Sequence, residues 1–162
     1  MNKLIVLLIA VGLLLSGCGQ PPTSTVVQPL EPPPELYDKT WISPGKVEVG
    51  NFYPGARAEY QVTIHNGNDE ACSFEVKYRH PDNVGEEYAM PTSEVQDWVI
   101  IADPTPVLEA FETREVLIAV VMPEDAESPA PKWEFWIAVK DVTQTGMVQT
   151  ELACRWLVSM RD

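Results

Sequence analysis

The chain has 162 residues with 11 bases against 24 acids, a formal net charge of −13 at neutral pH. That length suits one ordinary domain with some extra chain, and the acidic balance excludes nucleic acid as a partner, because phosphate binding needs clustered Lys and Arg. Three cysteines, two histidines and fifteen prolines leave little for a metal centre and much for turns and linkers.

Met1-Asn2-Lys3 is a charged start, followed by an apolar run from Leu4 to Leu15 and the small residues Ser16 and Gly17 before Cys18. This is the layout of a secretory signal. The run falls short of the roughly 20 residues a helix needs to cross a bilayer. Leu15-Ser16-Gly17-Cys18 resembles a bacterial lipobox. The resemblance implies cleavage after residue 17, a diacylglycerol on Cys18 and an acylated new amino terminus, with Gly19 giving no inner-membrane retention signal. Each buried methylene contributes about 0.8 kcal/mol, and two or more chains give stable anchoring. The expected location is therefore the extracytoplasmic side of a cell membrane, held by lipid. Cleavage removes Lys3, so 11 bases become 10 against 24 acids and the charge becomes −14.

From residue 18 to about Leu36 the chain is rich in proline, with Pro21, Pro22, Pro29, Pro32, Pro33 and Pro34 set among Thr, Ser, Gln and Glu. Such a segment cannot bury a core and is expected as a disordered tether. At about 3.1 Å per residue it reaches on the order of 50 Å. Residues 37–162 make the domain.

Within it, period-two alternation recurs between Pro, Gly and Asn punctuation, while helical periodicity is weak. Val47 and Val49 flank Glu48; Tyr53-Pro54-Gly55 turns into Tyr60, Val62 and Ile64, which Asn66-Gly67-Asn68-Asp69 ends. Phe74, Val76 and Tyr78 alternate with Glu75, Lys77 and Arg79 up to Pro81. A polar connection from Asp82 to about Val95 precedes a strand at Trp98-Val99-Ile100-Ile101, which Asp103-Pro104-Thr105-Pro106 breaks. After a short Val107-Leu108 segment, Val116 to Val121 is apolar on both faces, as a central strand would be. Trp133, Phe135, Ile137 and Val139 form one face of the next strand, with Glu134, Trp136, Ala138 and Lys140 on the other. Gln144-Thr145-Gly146 turns into a last strand whose core face is Leu152, Cys154, Trp156 and Val158. About seven strands over this length predict an all-β, immunoglobulin-like two-sheet sandwich, with a small barrel as the alternative.

The stretch Val47 to Asn68, and the stretch from Trp98 through Pro106-Val107-Leu108 and Glu112-Thr113 to Val121 and Pro123, resemble surface immunoglobulin-like modules of bacteria and archaea. Those modules include domains appended to secreted glycosidases; major-sperm-protein and pilus-chaperone domains are more distant likenesses. Ala110-Phe111-Glu112-Thr113 departs from the Pro-Gly often found before that Glu. The resemblance implies the sandwich and leaves function open.

Cys72 and Cys154 fall on the third and last strands of such a sandwich, in one sheet with another strand between them. That separation, about 9–10 Å, exceeds the roughly 7 Å a disulfide spans, which favours two buried thiols over a bridge. His65 and His80 stand alone, so no zinc site is expected. The clusters at Asn66, Asn68, Asp69 and Glu70, at Asp82, Glu86 and Glu87, and at Glu124, Asp125 and Glu127 could gather oxygen ligands around calcium, but they lack the spacing of a calcium loop and read as solvated acidic loops. No nucleophile elbow or phosphate-binding glycine loop is present, and no cofactor or enzymatic activity is expected. Trp136 points away from the core on the face that carries Lys77 and Arg155, which makes these three the candidate contact residues for a partner protein. The expected function is a non-enzymatic, lipid-anchored interaction or scaffolding module; the alternative is a carbohydrate-binding module that stacks sugar on Trp136.

Overall fold

The structure is a computed structural model that describes residues 23–24, 34–143 and 150–161. Among the described residues there are ten strands: β1 (Thr23–Ser24), β2 (Trp41–Ser43), β3 (Lys46–Phe52), β4 (Arg57–His65), β5 (Cys72–Arg79), β6 (Val99–Ile101), β7 (Val107–Leu108), β8 (Thr113–Val121), β9 (Lys132–Asp141) and β10 (Glu151–Met160). They form a six-stranded sheet in the order β1-β3-β10-β9-β5-β7 and a four-stranded sheet in the order β2-β4-β8-β6. The two sheets pack face to face, so the fold is the predicted all-β, immunoglobulin-like sandwich, and the barrel alternative falls.

Alternation builds both inner faces. On β4 and β8, Tyr60, Val62, Ile64, Val116, Ile118 and Val120 are buried; β4 and β8 run antiparallel with Tyr60 opposite Ile118. The facing sheet supplies an aromatic core. Trp133 meets Phe52 and Trp98 edge-on at 6.4 and 6.1 Å and stacks on Phe135 at 5.7 Å. Trp156 stacks on Phe135 at 5.3 Å and meets Tyr60 edge-on at 5.5 Å across the two sheets. Each buried aromatic removes roughly 150–250 Å² from water, so this cluster dominates the burial.

Two segments switch sheets and close the sides. β2 pairs with β4, and the chain then crosses through Pro44 and Gly45 to β3, which runs parallel to β10. On the opposite side β6 pairs with β8, and Pro104 and Pro106 carry the chain over to β5, accepting hydrogen bonds from Val76 and Phe74 at 2.8 and 2.9 Å. The prolines that break a strand in the sequence are the corner.

The structure corrects one expectation, at Trp98, and adds detail at two other places. The strands number ten because β1, β2 and β7, at two or three residues, are too short to show alternation. Trp98 does not begin a strand: it ends a four-residue helix, α1 (Val95–Trp98), with Val95 and Trp98 buried beneath it. At the departure from the module pattern, Phe111 takes the left-handed conformation (φ 57°) that glycine favours. Its ring stacks on Tyr37 at 4.9 Å, a contact glycine could not make.

Cys72 and Cys154 are both free and buried. Their strands do share one sheet with β9 between them. The register adds a second obstacle to a bridge: Cys154 faces Ile137, whereas Cys72 lies beyond Phe74, which faces Asp141. That offset is about six residues, or about 20 Å at 3.3 Å per residue. The predicted signal, Cys18 and the Gln144-Thr145-Gly146 turn lie outside the described residues, as does the tether apart from Thr23–Ser24 and Pro34–Leu36.

Candidate interaction face

The outer face of the six-stranded sheet carries the candidate residues. On β5, β9 and β10 every second residue faces away from the core, and the register sets them in rows. Trp136 sits between Arg79 on one side and Arg155 on the other; Lys46 continues the row beyond Arg155. The structure thus brings Trp136 and Arg155 together as cross-strand partners. Lys77 lies one row away, opposite Ala138, with its ammonium on Glu75 at 2.6 Å.

Trp136 is half-buried. Its indole N–H donates to Glu134 Oε1 at 2.6 Å, and the Arg79 guanidinium stands 6.0 Å from the ring centroid. Arg79 in turn is paired with Glu151, and with Asp82 at 3.1 Å. The Trp is therefore held in place by charged side chains rather than standing free.

Glu134 is the residue that sequence reasoning missed. Alternation puts it on the wet face, yet it is fully buried. Arg155 binds it through Nε and Nη2 at 2.8 and 2.9 Å, and the Gly85 N–H reaches it at 3.5 Å. The Arg155 guanidinium first, helped by the Trp136 N–H, holds the Glu134 carboxyl below the usual carboxylate range against the opposing cost of burial. Its cover comes from the 82–91 connection. Pro81 ends β5 opposite Trp136, which leaves the edge of β9 at Lys132–Glu134 vacant, and Ala89 takes that place. The Ala89 N–H donates to Lys132 O at 2.9 Å, and the Glu134 N–H donates to Ala89 O at 3.2 Å.

The face gathers Lys46, Lys77, Arg79, Lys132, Lys140 and Arg155, more than half the bases of a strongly acidic chain. Most are paired on the same face: Lys46 with Glu48 at 2.6 Å and Lys132 with Glu87 at 3.1 Å, beside the pairs already named. The result is a lattice of ion pairs around one tryptophan. Arg and Trp are over-represented among the residues that dominate protein interfaces, Trp for its large, rigid contact area and Arg for its planar fork of donors.

A polar cluster at the other end of the domain serves structure. Asn66 is fully buried, and its amide donates to the Glu70 and Glu109 carbonyls at 2.8 and 2.9 Å while its oxygen accepts from the Asn68 N–H at 3.1 Å. Next to it, a Cβ on Gly67 would lie 2.1 Å from the Lys39 carbonyl carbon, so only glycine fits. His65 bridges Thr113 Oγ1 and the Tyr37 carbonyl, both at 2.9 Å. These residues hold the segment from Tyr37 to Thr40 against the end of β4. Among the described residues no three His, Cys, Asp or Glu side chains gather where they could hold a metal ion, and no helix is long and apolar enough to cross a membrane.

No protein-family model and no curated protein matches the chain. Solved structures of similar shape do exist. PapD-like domain 7 of human CEP192 is 15% identical, with 85% of this chain and 94% of that domain covered and a TM-score of 0.57. The periplasmic chaperone SfaE is 12% identical, covering 76% of this chain and 58% of the chaperone, at 0.53. A chain of the CsuC–CsuE chaperone–tip adhesion subunit pre-assembly complex from the Csu pili of Acinetobacter baumannii is similar at 11% identity over 76% of this chain and 57% of that one, at 0.51. The chain thus spans under three fifths of those two chains. At these identities the likeness establishes the fold, an immunoglobulin-like two-sheet sandwich, and nothing finer.

Proposed function

We propose that this is a non-enzymatic protein held at a cell surface by an acylated Cys18, with a sandwich domain that contacts a partner protein through the outer face around Trp136. The observation that carries the reading is the row Arg79, Trp136, Arg155, Lys46 on the outer face of the six-stranded sheet. It places a half-buried aromatic and two preorganised guanidinium groups where a partner surface can meet them. The fold agrees with it: among chains of similar shape, one comes from a chaperone–tip adhesion subunit pre-assembly complex. The leader layout ending in Leu15-Ser16-Gly17-Cys18 supports the lipid anchor, and the remaining surface, with its large negative charge, favours solubility outside the membrane.

Photo-crosslinking in intact cells tests the partner face. A photoreactive residue at Lys77 or Lys140 is expected to give one discrete higher-mass adduct, lost when Lys46→Glu, on the exposed end of the same row, is added; the same probe at Gln61, on the other sheet, gives none. Equal labelling from both sheets, or no adduct from Lys77 and Lys140, contradicts the assignment.

A further inference from the structure

We propose that the outer edge of β3 is a strand-addition surface, that its resident occupant is the chain's own tether, and that docking there sets how far the domain stands from its anchor. β3 has seven residues, and β10 lines one side of it from Lys46 to Phe52. The other side is the margin of the six-stranded sheet. There the tether supplies β1, antiparallel, with Thr23 opposite Gly50 and Ser24 opposite Val49. Opposite Lys46, Val47 and Glu48 no described strand is present on that side. A row of unpaired N–H and C=O groups at a sheet margin is a template for an extended chain.

The charged Lys46 and Glu48 flank that margin and oppose indiscriminate pairing with other sheets. A segment of the same chain has the advantage of a high effective concentration. The tether is also secured at its far end: the Lys39 N–H closes a turn on Leu36 O at 3.1 Å, Tyr37 stacks on Phe111, and the Tyr37 carbonyl accepts from His65. With that end fixed on the domain, Thr23–Ser24 searches only a small volume and returns to the same edge. A two-residue ladder is weak, so the docked segment can leave and rejoin.

The consequence for reach rests on the proposed lipid anchor at Cys18. With Thr23 docked, five residue steps separate it from Cys18, at most about 17 Å of extended chain. With it released, the tether regains its full span of roughly 50 Å. The docked strand therefore acts as a strap that holds the domain near the bilayer.

Hydrogen exchange on the full chain, reconstituted in vesicles of phosphatidylethanolamine and phosphatidylglycerol, tests the docking. In wild type the β3 amide that faces β1 at Val49–Gly50 is expected to exchange at least tenfold more slowly than in a Thr23→Pro/Ser24→Pro variant, which cannot form the β1 ladder, while β4 and β8 are unchanged. Cys18→Ser should keep the slow exchange, because docking does not require lipid. A free peptide of residues 19–30 should restore it to the proline variant. Equal exchange in wild type and the proline variant overturns the proposal. Energy transfer from a dye on the domain to a lipid dye reads the anchor separately. No transfer in wild type would sink the anchor and the reach argument while leaving strand docking at β3 standing on the exchange data.

Discussion

Glu134 has no exposed surface, whereas Arg155 keeps 45% of its side chain in contact with water, and this asymmetry decides what each substitution costs. Removing the arginine strands a buried carboxylate; removing the carboxylate frees an arginine that can turn to solvent. Arg155→Ala should therefore cost about 2–3 kcal/mol and Glu134→Gln about 1 kcal/mol, by urea unfolding at pH 7. The wild-type carboxyl is held below its ordinary range, so its contribution is present above pH 4.5 and lost as pH falls. In Arg155→Ala the buried, unpaired carboxyl takes up its proton more readily, and the deficit against wild type should narrow between pH 7 and pH 4. The opposite sign applies to Cys154, whose thiol burial pushes from 9.0 up to about 12. The unfolded chain releases that proton first, so the stabilisation is present below pH 9 and declines toward pH 12, by up to about 1.4 kcal/mol per pH unit. Urea midpoints at pH 8 and 10.5 should fall further in wild type than in Cys154→Ala. At this scale the sequence was a partial guide. The inward face of β9 was readable from alternation, but the burial of Glu134 depends on Ala89 and Gly85 arriving from some fifty residues away, which no local pattern records.

At the scale of elements, the long strands were legible because eight to ten residues of period two leave no competing reading. Trp98 was misplaced because an aromatic beside Val99, Ile100 and Ile101 looks like strand, and four residues of helix carry no periodicity of their own. The tight junction between β2 and the end of β4 was also unreadable: Gly67 looks like ordinary turn punctuation, yet the Lys39 backbone lies against it and its N–H reaches Thr40 Oγ1 at 3.2 Å. Gly67→Ala should cost at least about 2 kcal/mol, since the clash is with main chain that cannot yield without moving the tether junction. Thermal unfolding measures it, and a variant as stable as wild type would mean that Lys39 is not packed there. The pairing of Trp136 with Arg79 and Arg155 belongs to this scale too. Each residue was assigned its outward face from the sequence, while the row they make follows from a register fixed by distant partners.

For the whole molecule, the proposed leader and tether would give the sandwich a fixed position at a surface, and that position is the function proposed for it. The sandwich is established by its two sheets and by its likeness to PapD-like domains. The anchor rests on the leader alone, and it is what would turn an acidic domain with a Trp- and Arg-bearing face into a surface component with a defined reach. Fractionation of cells expressing wild type and Cys18→Ala tests this most directly. Wild type should partition into detergent phase, incorporate labelled fatty acid and lose its first 17 residues. Cys18→Ala should do none of these while its domain keeps the wild-type unfolding midpoint. A wild-type protein that stays in the aqueous phase without fatty acid, or a Cys18→Ala protein that remains lipid-bound, would contradict it.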